Sequence, residues 1–246
     1  MDFAALAPSA NSVMPSVHPT SQAKEAAFSP YEDHGGTNLA IAGADFCVIA
    51  SDTRQSNGYH INTRFAPKTF KLTDKTVLTT AGCQPDCNMV ATRVRQHIEW
   101  YKYTHNRSIS TAAIAQMLSI MLYQKRFFPY YDFNILGGLD EEGRGAVYSY
   151  DSIGSMERVP CQCCGSASAL IQPFLDNQVR NKNQKGKEEV TAFDPVAKLS
   201  LETTLKIVKD AFTSATERDI YTGDSLQIFI VTRDGVEEQR YPLKRD

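Results

Sequence analysis

Long apolar runs are missing from this 246-residue chain. None approaches the ~20 residues that a membrane-crossing helix needs, so a membrane partner is not expected. An excess of positive charge is missing too. The 26 lysines and arginines stand against 28 aspartates and glutamates, a formal net charge of −2 with no basic stripe. Nucleic acid and anionic surfaces therefore lack electrostatic support as partners. The first 34 residues contain no arginine and no apolar core, which argues against a mitochondrial presequence and a secretory signal. Zinc-knuckle spacing is also absent. Cys83-x3-Cys87 and Cys161-x-Cys163-Cys164 lack the second C-x2–4-C pair or the histidines of a structural site, and the latter cluster is cramped. With Cys47 they make six cysteines, which without a secretory signal read as reduced thiols of an intracellular protein. No metal and no organic cofactor is expected.

What is present is an ordinary globular composition, 42% hydrophobic, with a contrasting start. Residues 1–34 are rich in Ala, Ser and Pro, including Pro8, Pro15, Pro19 and Pro30, and lack hydrophobic periodicity. They read as an extended or disordered leader, ahead of a single domain at 35–246. From Thr37 the pattern turns to strands: Thr37–Ala42, Phe46–Ser51, Phe70–Leu72 and Val77–Thr80. Helical spacing follows in Val90, Val94, Ile98 and Tyr101, with Asp86 near the start and Asn106 near the end. It recurs in Ile114, Leu118, Met121 and Leu122 after Ser110-Thr111, stopping before Pro129. Strands return at Asp132–Leu136 and Ala146–Tyr150. A third helix opens at Gly165-Ser166-Ala167-Ser168 and reaches about Leu175. Asn181–Glu189 reads as an exposed insertion. Leu201, Leu205, Val208 and Phe212 define a fourth helix, and strands at Leu226–Val231 and around Val236–Tyr241 close the chain. Hairpin-linked strands with paired helices predict α+β with antiparallel sheets rather than a parallel doubly wound fold.

The chemistry concentrates at Gly35-Gly36-Thr37, read with Asp52 and with Lys68 sixteen residues after it. Cleavage after a glycine frees a threonine whose own α-amino group, titrating near pH ~7.7–8.0, accepts the hydroxyl proton without a histidine. A carboxylate and a lysine beside it supply orientation and charge. Thr37-Asn38-Leu39-Ala40-Ile41-Ala42, Ala50-Ser51-Asp52-Thr53-Arg54 and Pro67-Lys68 resemble the opening of a proteasome β subunit, an N-terminal-nucleophile hydrolase family. Arg126-Phe127-Phe128-Pro129-Tyr130-Tyr131, Gly137-Gly138-Leu139-Asp140, Gly165-Ser166-Ala167-Ser168 and Glu217-Arg218-Asp219-Ile220-Tyr221-Thr222-Gly223 resemble its type-6 branch in the eukaryotic 20S particle. The resemblance covers roughly residues 28–246.

Active members of that family carry threonine sixteen residues before the aspartate matching Asp52, and position 36 here is glycine. Thr37 is one residue late, and a one-residue offset in a strand turns a side chain to the opposite face. By the resemblance, Asp52 and Lys68 match the aspartate and lysine near the nucleophile. Ser166 and Asp219 match residues supporting the active amine, and Thr222 stands where a serine is usual. With Gly36 at the nucleophile position, Asp52 and Lys68 read most simply as a buried ion pair, and no residue is expected to be catalytic. The resemblance implies a four-layer α-β-β-α sandwich and a non-catalytic structural subunit in a 28-subunit, four-ring barrel. Its partners would be α and β subunits, with regulatory particles engaged indirectly, in cytoplasm and nucleus. The leader would be a propeptide, trimmed by a neighbour because position 36 cannot cut itself out. The alternative is an active threonine endopeptidase subunit using Thr37. Phe127-Phe128-Pro129-Tyr130-Tyr131 serves either an interface or this chain's own core.

Overall fold

The strand β1 (Thr37–Ala42) and its neighbour β2 (Cys47–Asp52) are buried along their whole length, because each face is covered by a different layer. Leu39, Ile41, Val48 and Ala50 point into one hydrophobic cluster, and Ala40, Ala42, Cys47 and Ile49 into another. That two-faced alternation is the period of the strand expressed in packing. The computed structural model describes residues 29–191 and 199–246, and Tyr31–Asp246 form one compact unit. Most of the leader read from the sequence, up to residue 28, lies outside the described residues.

After β2 the chain makes a small hairpin, β3 (Gln55–Asn57) and β4 (His60–Thr63), then β5 (Thr69–Lys71) and β6 (Thr76–Gly82). Two helices follow, α1 (Gln84–His105) and α2 (Thr111–Tyr123). Next come β7 (Asp132–Leu139), β8 (Gly145–Tyr150), β9 (Met156–Val159) and β10 (Cys161–Gly165). The chain ends with α3 (Ser168–Gln178), α4 (Leu201–Thr216), β11 (Ser225–Thr232) and β12 (Gly235–Pro242). One sheet runs β10-β1-β2-β11-β12 and the other β5-β6-β7-β8-β9, every pairing antiparallel.

Three apolar clusters define four layers. Val208, Phe212, Ile171 and Leu175 of α3 and α4 pack on the outer face of the first sheet. Val90, Val94, Leu118 and Leu122 of α1 and α2 pack on the outer face of the second. Val77, Ile135 and Val147 meet Ala40 and Ile49 between the sheets. The fold is an α+β, α-β-β-α sandwich. Burying each large apolar side chain contributes about 1.5–3 kcal/mol, and truncating fully buried Phe212 to alanine would cost about 3–5 kcal/mol.

Helix ends follow local chemistry. Ser110 and Ser200 cap α2 and α4 by accepting from the N–H groups of Ala113 and Thr203. Asn106, in the left-handed region at φ 50°, closes α1. Two features depart from the sequence reading. Strands β9 and β10 are not expected from the sequence. Strand β9 pairs with β8 in the second sheet, and Cys161-Gln162-Cys163-Cys164-Gly165, which carries no β-branched residue, forms β10 in the first. It takes its conformation from β1, with Leu39 opposite Cys163 and Thr37 opposite Gly165. The β3–β4 hairpin was also missed, being too short to show a period. The second helix ends at Tyr123, well before Pro129, and the third continues to Gln178 with Pro173 inside it.

Candidate functional site

The end of β2, the approach to β5, the β10–α3 turn and the α4–β11 turn converge on the start of β1. Asp52 is fully buried and Lys68 nearly so, and they pair at 3.2 Å. Asp52 Oδ1 accepts from the Thr37 N–H at 2.8 Å as well as from Lys68 Nζ. Its Oδ2 accepts from the N–H groups of Arg54 at 3.1 Å and Gly223 at 3.3 Å. Lys68 Nζ also donates to the carbonyls of Asp52 and Arg54. Burial pushes the Asp52 carboxyl up, and the Lys68 ammonium and the Thr37 and Gly223 N–H groups pull against it. Paired charges with every donor and acceptor engaged are what a site this deep can tolerate.

Gly36 is buried with φ +90°, where a side chain is strained. A Cβ built there would collide with Lys68 Cε and lie 2.9 Å from Lys68 Nζ. The lysine thus lies across the volume that any side chain at 36 would need. The Gly36 carbonyl accepts from the Ser166 N–H at 3.0 Å. A cavity of about 370 Å³ opens here, lined by Gly35, Gly36, Gly82, Phe133, Cys164 and Ser166 among others.

Thr37 faces the other way, with Leu39 and Ile41, and is fully buried. Its Oγ1 accepts from the Ala167 N–H at 3.0 Å and lies 2.7 Å from Thr222 Oγ1. Thr222 and Ser166 both donate to Asp219 Oδ2 at 2.6 Å. With the Thr222 proton so committed, Thr37 must donate its own proton to Thr222. The six residues singled out in the sequence therefore form two groups. Asp52 and Lys68 gather at Gly36, and Asp219 and Thr222 lie on the side of the Thr37 hydroxyl. Ser166 touches both, bonding the Gly36 carbonyl through its N–H and lying 3.4 Å from Thr37 Oγ1.

Sequence reasoning passed over His34 and gave no role to Arg54, which it quoted only within the Ala50–Arg54 block. The His34 N–H donates to the Gly82 carbonyl at 3.1 Å, and its own carbonyl accepts from the Ser56 N–H at 3.1 Å. Its Nδ1 accepts from the Gln84 N–H at 3.2 Å, capping α1, whose N-cap residue Cys83 offers no side-chain bond. Tyr31 donates to the Pro129 carbonyl at 2.6 Å and stacks on Phe128 at 5.7 Å. The aromatic run containing them divides, with Phe127 almost fully exposed and Tyr130 buried. Its only sequence signal was aromatic spacing, and nothing marked His34.

All six cysteines are free thiols. Burial pushes Cys47, Cys87 and Cys161 up to about 12 and Cys164 up to about 11, which favours the protonated thiol at these four positions. Among the described residues no three His, Cys, Asp or Glu side chains are grouped to hold a metal, and no helix is long and apolar enough to cross a membrane.

Residues 32–231 match the family model described as "Proteasome subunit". The chain is 51% identical over 219 residues to "Proteasome subunit beta type-1-B" of Carassius auratus, covering 89% of this chain and 90% of the relative. It is 48% identical over 225 residues to "Proteasome subunit beta type-6" of Saccharomyces cerevisiae, covering 89% and 92%. It is 47% identical over 223 residues to "Proteasome subunit beta type-1" of Petunia hybrida, covering 91% and 99%. A matched model over most of the fold and relatives aligned nearly end to end leave one conclusion: the chain belongs to the proteasome subunit family, among its β subunits.

Proposed function

We propose that this chain is a non-catalytic, structural β subunit of the type-6 branch of the 20S core particle. One observation carries the reading: the nucleophile position holds a glycine whose missing side chain is replaced by Lys68. Uniting nucleophile and amine at one residue is what gives this chemistry its base. Here position 36 has no hydroxyl, and its nitrogen is tied into the peptide from Gly35. Thr37 offers no substitute, since its hydroxyl is buried on the far face and spent on Thr222.

The work of such a subunit is assembly. It holds α and β neighbours in the 28-subunit, four-ring barrel, walls the proteolytic chamber and meets regulatory particles only indirectly, in cytoplasm and nucleus. Its vestigial positions are Gly36, Asp52, Lys68, Ser166, Asp219 and Thr222. The leader is a propeptide cut in trans upstream of Tyr31, and the anchoring of Tyr31 and His34 on the body supports a cut that leaves both in place. Native purification of a tagged chain, with sizing and mass spectrometry of what accompanies it, tests this. Recovery with α- and β-type subunits in a particle of roughly 28 chains is expected. A free-standing chain, or one that begins at Thr37 and takes up an epoxyketone there, overturns it.

A further inference from the structure

Arg54 joins two parts of the molecule that the dead centre does not explain. It lies two residues beyond Asp52, and its side chain is almost completely buried. Nε donates to Asp224 Oδ2 at 2.8 Å, and Nη1 to the Ile220 carbonyl at 2.9 Å. Nη2 reaches the carbonyl of Lys244 at 3.4 Å and the main-chain oxygen of Asp246 at 3.1 Å. Arg64 binds the same Asp224 carboxylate and the Arg245 carbonyl. Backbone bonds complete the contact, from the Asp224 N–H to the Lys244 carbonyl and from the Leu243 N–H to the Asp224 carbonyl. The residues beyond β12 are thus gripped through their main-chain oxygens. Asp224 itself is held at φ +70°, a conformation that a non-glycine residue keeps only when its surroundings impose it. Gly223 leaves the room, because a Cβ there would lie 2.7 Å from Arg54 Cζ and 3.0 Å from the Lys244 carbonyl.

The other side of Arg54 faces the ion pair. Its N–H, like that of Gly223, donates to Asp52 Oδ2, and its carbonyl accepts from Lys68 Nζ. We infer that residues 243–246 form an intramolecular latch, and that Arg54 is the positioning residue through which the latch fixes Asp52 and Lys68. Removing the latch takes from the buried Nη2 its acceptors at Lys244 and Asp246 and leaves it the 3.4 Å contact to Asp224 Oδ1, which costs free energy until the segments around Arg54 move. The two segments that meet at Arg54, the turn after β2 and the α4–β11 turn, carry one each of the four hydrogen bonds holding the Asp52 carboxylate. This inference does not depend on whether the site is catalytically silent.

Hydrogen exchange read by mass spectrometry, on the chain within the complex it purifies with, tests the latch. Ending the chain after Pro242 is expected to speed exchange about tenfold or more in peptides containing Thr37, Arg54 and Gly223. Peptides from β7 should not change. Arg54→Lys, which keeps the charge and loses the fork, should give the same pattern, and the two changes together should add little to either alone. Unchanged exchange at Thr37 and Gly223, an even rise that includes β7, or simple additivity would each overturn the latch. If the shortened chain does not enter the complex, full-length Asp224→Asn carries the same expectation and the same reversal.

Discussion

At the scale of single residues, the proposed silence of the centre rests on substitution and occupation together. Gly36→Thr must displace Lys68 and force a β-branched side chain toward φ +90°, so the variant is expected to remain unlabelled. Peptide mapping after epoxyketone treatment should show no adduct at position 36 or at Thr37, in wild type or variant. Lys68→Met strands the buried Asp52 carboxylate, and a loss of about 3–5 kcal/mol is expected in denaturant unfolding; a variant that unfolds like wild type removes the pair from the structural account. Asp132 behaves differently. It is fully buried, its Oδ2 accepts from Asn134 at 2.7 Å, and its Oδ1 finds no hydrogen-bond partner among the described residues. Burial pushes its carboxyl up to about 6 from an ordinary 3.8, against the Asn134 bond and with help from the Asp86 charge. The folded chain therefore holds a proton that the unfolded chain releases. The stability this provides is fully present below about pH 4 and is lost as pH rises through about 6. Asp132→Asn should be more stable than wild type at pH 7, by about 2–3 kcal/mol, with the gain gone near pH 4. Urea midpoints at the two pH values decide it.

At the scale of elements, α1 begins with help from outside itself. Its N-cap side chain makes no bond, and the ring of His34, fifty residues earlier in the chain, accepts from the Gln84 N–H. His34→Ala removes that cap together with a buried side chain, and a loss of about 1–2 kcal/mol is expected. Faster exchange confined to the first turn of α1 and to residues 31–36 would identify the cause. This is where legibility in sequence divided. The four helices and most long strands could be read because their apolar period and capping residues are local properties of the chain. So could the one-residue offset of Thr37, once the resemblance supplied the sixteen-residue spacing and strand alternation supplied the face. Strand β10 could not be read, because its cysteines adopt the pleat only by pairing with β1. Nor could His34, Arg54 or the lysine lying across position 36. Their roles depend on which distant backbone groups meet them, and no periodicity records that.

At the scale of the whole molecule, the segment ahead of β1 behaves as part of the body. Tyr31 is stacked and hydrogen bonded, and His34 bridges Gly82 and Ser56. Trimming is therefore expected to stop before Tyr31, with residues up to about Ala27 absent from the assembled particle. Because position 36 has no hydroxyl with which to cut itself free, the proposed cut is made by neighbours, and blocking their active sites should leave this chain longer. N-terminal sequencing with and without such an inhibitor checks this, and a terminus at Gly36 or Thr37 that forms regardless of inhibition would refute both the cutting scheme and the silent centre. The placement of Lys68 across position 36 carries a further consequence, in evolutionary time. To regain a working hydroxyl, the backbone at 36 would have to leave the left-handed region, Lys68 would have to withdraw, and the chain would have to break at Gly35. None of these steps yields turnover without the others, so selection for activity has nothing to act on along the way. On the proposed reading Lys68 makes the loss of activity a ratchet: a descendant of this chain would be far freer to remodel its outer surfaces than to regain a nucleophile at position 36.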